Sequence, residues 1–304
     1  MPEVVTYPGA RAPDRTRTVD SHGLRIAVHE WGEADAPPIA AAHGGFDFAR
    51  TYSRFAPVLA DAGWRVVTWD QRGHGDSDRA SLYSWDADLR DAVAVVNSIS
   101  DAPMPVMGHS KGAGVMMQFA AALPHRVTAM VSLDGVATRR SMPDVPDHER
   151  TKLVAGELAG WLDFRRSVVD KVRRPDTLDG LAERRARMNP RLSREWLRYL
   201  VSVGARHDDD GWRWKIDPAL RFGGFGPWRP EWAMFRLPGL GMPLLAVLGT
   251  QPEAMGWTTP ADEVEPYLPP GSELVVLDDV GHFVHIEQPE RIAKLVLGFL
   301  GEPA

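Results

Sequence analysis

The sequence predicts an α/β fold: a mostly parallel central sheet flanked by helices, with a helical segment inserted late in the chain. Three observations carry this expectation. Short apolar runs alternate with longer stretches whose apolar residues recur at helical spacing, the rhythm of strand–helix–strand crossovers. The rhythm breaks after Gly135 and resumes at Pro243, where the intervening chain turns charged and then rich in Gly, Pro and Trp. Finally, the 304 residues are 44% apolar and 25% charged, a globular mixture with enough apolar mass for a large core. We therefore divide the chain into a core of residues 1–136 and 239–304 and an inserted cap of residues 137–238.

The elements follow in order. An opening hairpin is expected from Arg15 to Ser21 and Arg25 to Trp31, turning at His22-Gly23. Pro38 to Ala42 reads as a strand ending at His43-Gly44-Gly45. Tyr52 to Ala62 has helical spacing and stops at Gly63, a residue suited to the position just past a helix. Trp64 to Trp69 is the next strand, and Asp86 to Ser98 an amphipathic helix carrying Leu89, Val93 and Val96. Pro105 to Met107 makes a short strand, Gly112 to Leu123 a small-residue helix, and Val127 to Leu133 another strand. Helices are placed near His148 to Val172, Leu178 to Met188 and Ser193 to Val203 in the insertion. Strands at Pro243 to Gly249 and Glu273 to Leu277 and a helix from Pro289 to Leu300 complete the core.

Composition excludes several function classes. With 35 basic and 41 acidic residues the formal net charge is −6, whereas a nucleic-acid binder needs a concentrated basic face. Without cysteine there is no disulfide, thiolate metal site or cysteine nucleophile. Apolar stretches such as Met242 to Leu248 fall far short of the roughly 20 residues of a membrane helix. Met1 to Asp20 lacks the apolar segment of a secretory signal, so a cytoplasmic location is expected. No two histidines have ligand spacing with a supporting carboxylate, so neither a metal nor a cofactor is expected. The expected partner is a small-molecule substrate, with no nucleic acid and no membrane.

Chemistry concentrates at Gly108-His109-Ser110-Lys111-Gly112, which fits G-x-S-x-G between a predicted strand and a predicted helix. A turn this tight strains the serine backbone and brings neighbouring chain close, which is why glycine flanks it. The turn lifts the Ser110 hydroxyl above the sheet edge and aims a helix N-terminus at the reacting group. A serine also needs a base. His282, in Asp279-Val280-Gly281-His282-Phe283 after the last predicted strand, is placed to swing over the strand ends, whereas His285 lies on an apolar face and reads as packing. His43-Gly44-Gly45-Phe46 supplies backbone N–H groups for an oxyanion, from Gly45 or from Phe46, together with the N–H of Lys111.

Taken together, His43-Gly44-Gly45, Asp70 to Gly75 with Ser77, Gly108 to Gly112 and Gly281-His282 make the chain resemble the α/β-hydrolase superfamily over nearly its full length. The resemblance implies the α/β-hydrolase fold with an inserted helical cap, and a turn from Asp70 to Ser77 whose role is architectural. It also implies a Ser, acid, His triad in that chain order. The sequence departs from the family at the acid. Many members carry an aspartate after the strand that follows the cap, where this chain has Pro252 and, one residue later, Glu253. The other candidate is Asp134, at the end of the strand before the cap, where some dehalogenases and ester hydrolases of the superfamily take their acid. Both remain open at this point.

Lys111 is unusual in its position, and two roles are open: a cation felt by an oxyanion or acidic substrate, or a side chain lying along the surface. The insertion holds Trp161, Trp196, Trp212, Trp214, Trp228 and Trp232, and these either line a pocket or build the insertion's own core. Trp228 and Trp232, flanked by Gly and Pro, are the pocket candidates, with Phe46. The expected activity is hydrolysis of a small, largely apolar carboxylic ester or lactone through an acyl-enzyme on Ser110, with His282 and Asp134 or Glu253. Alternatives on the same fold are C–C bond hydrolysis, perhydrolysis, cofactor-independent oxygenation, or a low-turnover binding or sensor role. Epoxide hydrolase or dehalogenase chemistry of the usual type is disfavoured, because it needs a carboxylate where Ser110 stands.

Overall fold

A computed structural model of the chain describes residues 5–138, 147–220, 232–256 and 258–303. Its strands are β1 (Arg15–Ser21), β2 (Leu24–Trp31), β3 (Pro38–Ala42), β4 (Arg65–Trp69), β5 (Met104–His109), β6 (Val127–Leu133), β7 (Ala205–Asp208), β8 (Gly211–Trp214), β9 (Leu244–Gly249) and β10 (Glu273–Leu277). Eight of them form one sheet in the order β1-β2-β4-β3-β5-β6-β9-β10, antiparallel through β1, β2 and β4 and parallel from β4 onward.

The inner parallel strands β3, β4, β5, β6 and β9 are largely buried on both faces, as their near-continuous apolar runs require, while β10 at the edge is partly exposed. Successive side chains of a strand point to opposite faces, so each strand feeds two cores. Ala40 and Ala42 of β3, Val67 and Trp69 of β4, and Leu244, Ala246 and Leu248 of β9 join the cluster that holds Val95, Val96, Val115 and Phe119. Those last four come from α2 (Trp85–Ile99) and α3 (Lys111–Ala122). Ile39, Ala41, Val66, Leu245 and Val247 face the other way. There they meet Leu59, Ile292 and Val296. These belong to α1 (Ala56–Asp61) and to the last helix, Pro289–Leu300.

Between β6 and β9 the chain leaves the sheet. It forms α4 (Asp147–Val168), α5 (Leu178–Met188), α6 (Arg194–Gly204), the two-stranded β7–β8 pair and the short α7 (Trp232–Arg236). Two more single-turn helices, α8 (Ala261–Val264) and α9 (Val284–Glu287), precede α10 (Pro289–Leu300). Thr177 and Ser193 cap α5 and α6 by accepting from the N–H of Gly180 and Trp196, the usual task of a hydroxyl at a helix start. Leu181, Trp196, Leu197 and Leu200 of these two helices pack with Phe48, which follows β3, and with Phe283, which follows β10. Helices α5 and α6 thus rest on loops at the C-terminal ends of the parallel strands, where ligands bind in open α/β sheets. No helix among the described residues is long and apolar enough to cross a membrane.

Three local expectations shift. The helix expected from Tyr52 begins at Ala56, after a 3₁₀ turn over Ala49–Tyr52, because Pro57 favours the first turn, where its missing N–H costs nothing. The strand expected at Pro105 to Met107 runs from Met104 to His109 and passes Pro105 at a register shift against β6. The β7–β8 pair was not expected: its turn at Asp209-Asp210, with Gly211 at φ 128°, carries the signal that could have revealed it.

Candidate active site

Ser110 follows β5 directly and opens α3, with φ 51° and ψ −122°. A non-glycine residue there stores on the order of 1–3 kcal/mol of backbone strain. The surroundings impose it: the Ser110 N–H donates to Leu133 O at 3.0 Å across the sheet, while its carbonyl accepts from Ala113 N at 3.0 Å as α3 begins. Any Cβ on Gly108 would overlap the backbone of Gly112 and Ala113, and one on Gly112 would overlap the carbonyls of Ala42 and His43. The two glycines therefore let the turn close against β3.

On the neighbouring strand, Asp134 follows β6 in the same way, also at positive φ (46°), and its N–H donates to Val247 O at 2.8 Å. Its carboxylate is buried. Oδ1 accepts from Gly249 N at 3.1 Å, and Oδ2 lies 2.5 Å from His282 Nδ1. A carboxylate beside Nδ1 holds the proton on that nitrogen and leaves Nε2 as the basic one. The His282 ring is buried, with its centroid 4.7 Å from that of the His109 ring and tilted 47° to it. His109 Nε2 donates to the His282 carbonyl at 2.9 Å, since that oxygen can only accept. Glu253, the other acid candidate, does not meet the imidazole. Its Oε2 accepts instead from the His282 backbone N–H at 2.7 Å, and burial raises its carboxyl above the usual range.

The loop after β3 lies against this turn: a Cβ on Gly44 would stand 3.4 Å from Ser110 Cβ. His43 is fully buried, and burial draws its imidazole down to about 4. Its Nε2 accepts from Gln71 N at 2.9 Å, so Nδ1 carries the proton and donates to Gly44 O at 2.7 Å. Neither the Gly45 nor the Lys111 N–H is taken up by a backbone carbonyl among the described residues. Phe46 sits at φ 57° and half-buried.

The Lys111 side chain does not lie along the surface. Its Nζ is 2.6 Å from Asp88 Oδ2 and 2.9 Å from Gln71 Oε1, and the chain is 17% exposed. With Asp88 buried beside it, this cation is compensated. It is not a free charge awaiting an acidic substrate.

The insertion contributes Arg185 of α5, which sequence reasoning missed. Its guanidinium donates to Phe46 O at 3.2 Å, lies 3.5 Å from the buried Asp47 carboxylate and sits 5.6 Å from the Phe283 ring centroid. Burial pushes Asp47 up to about 6, against the pull of the Arg185 charge. Gln71 and Asp88 were also missed. Gln71 falls in the Asp70 to Ser77 turn, read there as architectural, and Asp88 in no motif; both matter only through partners distant in sequence. Of the tryptophans, Trp196 is buried with Tyr7 and Tyr199 in a cluster that the insertion shares with Phe48 and Phe283 from outside it. Trp228 lies outside the described residues, as does the side chain of Trp232, whose backbone begins α7. Among the described residues no group of three or more His, Asp or Glu side chains is arranged to hold a metal ion.

Comparison with known proteins agrees with this architecture. A serine hydrolase-like protein of Dictyostelium discoideum is 34% identical over 117 residues, which cover 37% of this chain and 32% of that protein. The match therefore spans about a third of that relative's length. A serine hydrolase-like protein of Danio rerio is 23% identical over 276 residues, covering 89% of this chain and 83% of the relative. Among solved structures, a thioesterase domain from the curacin biosynthetic pathway superposes with a TM-score of 0.78 at 21% identity, over 93% of this chain and 99% of that domain. The family model for the alpha/beta hydrolase fold matches residues 37–289, and the chain belongs to that family.

Proposed function

We propose that this protein is a serine hydrolase that cleaves a small, largely apolar carboxylic ester or lactone through an acyl-enzyme. The observation that carries the reading is the pairing of His282 Nδ1 with Asp134 at the end of the strand next to the Ser110 turn. In this reading Ser110 Oγ attacks the carbonyl carbon while its proton passes to His282 Nε2, and Asp134 stabilises the imidazolium that forms. The Gly45 and Lys111 N–H groups, or Phe46 in place of Gly45, receive the oxyanion. Collapse expels the alcohol, which takes the proton from Nε2. Water activated by His282 then attacks the acyl group, and the acid leaves. Residues 137–238 act as a cap over the site, and Phe46 offers an apolar face to the acyl or alcohol group.

Support comes from family membership and from names borne by relatives, among them serine hydrolase-like proteins and a lipase of Mycobacterium tuberculosis. Another relative, 34% identical over 128 residues, is an epoxide hydrolase of the same organism. Opening an epoxide through a covalent ester would need a carboxylate at the Ser110 position, and Asp134 is committed to His282.

The test pairs two assays. A fluorophosphonate should label Ser110, p-nitrophenyl acetate or butyrate should be turned over, and Ser110→Ala should lose both while its urea midpoint stays unchanged. Absence of labelling and of ester turnover in the folded wild-type protein would defeat the proposal, and oxygen uptake with aromatic substrates would redirect it.

A further inference from the structure

Lys111 stands at the variable position after the serine, and its side chain has no part in the acyl-transfer steps above. Its surroundings are nonetheless built around it. Asp88 is 5% exposed and Gln71 3% exposed, and both meet the Lys111 ammonium, which the Trp85 ring flanks at 5.9 Å. We propose that Lys111 is a positioning residue for the oxyanion loop, acting through Gln71 on His43 and so on the peptide that carries the Gly45 N–H. The proposal rests on the hydrolase reading only for its catalytic consequence.

The argument runs along a chain of donors and acceptors. Gln71 makes two bonds to His43, its backbone N–H to the ring Nε2 at 2.9 Å and its side-chain Nε2 to the His43 carbonyl at 2.5 Å. An amide can be turned end for end, and the ammonium removes that freedom. Lys111 Nζ has only donors, so the Gln71 oxygen must face it at 2.9 Å, and the NH₂ must face His43 O. With both Gln71 contacts in place the His43 ring is held, and its Nδ1–H donates to Gly44 O at 2.7 Å. A trans peptide is planar, so fixing the Gly44 carbonyl fixes the following N–H in the opposite direction. That N–H belongs to Gly45. Asp88 closes the chain by holding Nζ at 2.6 Å, and it keeps the cation from swinging to solvent. The backbone N–H of Lys111 is the other proposed donor, so one residue ties both donors to a common frame.

The test must separate positioning from plain stability. Lys111→Met leaves the buried Asp88 carboxylate unpaired and is expected to destabilise the protein. The double variant Lys111→Met/Asp88→Asn removes that orphan charge. The reporter is the Gln71 amide proton, bonded to His43 Nε2, followed by ¹⁵N-detected hydrogen exchange. The reference is the neighbouring Asp70 amide, bonded to Ala27 O at 2.9 Å in the sheet. The expected result for the double variant is a urea midpoint near wild type, with Gln71 exchanging about tenfold faster relative to Asp70. With p-nitrophenyl acetate its kcat should be about 10- to 100-fold lower at unchanged KM. An unchanged Gln71-to-Asp70 exchange ratio overturns the proposal. So does recovery of full kcat in the double variant, which would mean that Lys111 only neutralises Asp88. If the wild-type protein hydrolyses no ester, the hydrolase reading fails by itself and the exchange ratio alone decides the role of Lys111 in the loop.

Discussion

The Nδ1 atom of His282 lies 2.5 Å from Asp134 Oδ2, although 148 residues separate the two in sequence. Both side chains are 2% exposed, so water does not screen the pair. Asp134→Asn is therefore expected to lower kcat for p-nitrophenyl acetate by about 10⁴-fold with little change in KM, since an amide can favour the wrong imidazole tautomer. Glu253→Gln should lose less than about fivefold, because the glutamine carbonyl still accepts from the His282 backbone N–H. Steady-state kinetics on both variants, normalised to fluorophosphonate-titrated sites, checks this. A large loss in the glutamine variant alone would reassign the acid.

Gly112 gives a second expectation. A methyl group there would press on the carbonyls of Ala42 and His43, which are fixed in β3 and its loop. Gly112→Ala should cost about 3 kcal/mol or more, at the upper end for overpacking, because backbone cannot step aside as a side chain can. Urea unfolding at neutral pH measures it. Gly298→Ala, whose Cβ would meet open space, is the matched control and should be neutral or slightly stabilising.

Four buried histidines set an acid limit to stability. Burial draws His43 to about 4 and His285 to about 3, and it carries His74 and His109 well below their ordinary value of 6.5. As pH falls through 6.5 the unfolded chain takes up these protons and the native state does not. Stability is thus lost from pH 6.5 downward, at about 1.4 kcal/mol per pH unit for each such histidine. His285 makes the cleanest test, because both its ring nitrogens are buried without a partner among the described residues. His285→Phe should recover about 2 kcal/mol at pH 5 relative to its effect at pH 7, read from urea midpoints.

Arg185 and Asp47 reverse that sign. Burial holds the Asp47 carboxyl up at about 6, with Arg185 and His282 favouring its charge and Asp70 opposing it. Removing Arg185 raises Asp47 further, so the cost of keeping it ionised is felt above its folded value and vanishes below. Arg185→Met should lose about 1–3 kcal/mol at pH 8, and less at pH 5 where Asp47 binds a proton. Equal losses at both pH values would mean that the bond to Phe46 O, not the charge pair, carries the contact.

Much of this was legible in the sequence, because it depends on neighbours along the chain. Apolar alternation located all eight strands of the main sheet, and the glycines of Gly108 to Gly112 marked a turn that only a strand–helix junction needs. Gly281-His282 was readable as a loop histidine beyond the last strand for the same reason. The β7–β8 pair escaped, since its strands are only four residues each and too short for a period to show.

What the sequence by itself determined was local: which segments extend, which coil, and where a serine is forced into a left-handed bend. Only the tertiary structure set Asp134 rather than Glu253 against the His282 imidazole, and only it joined Lys111, Gln71, Asp88 and His43 in one chain of bonds. The reason is geometric. Both acids follow parallel strands in the same chain order, and the sheet's strand order and register set which carboxylate reaches the imidazole and which stops at a backbone N–H. Such partnerships depend on positions ångströms apart in space but tens of residues apart in the chain, where no periodicity records them.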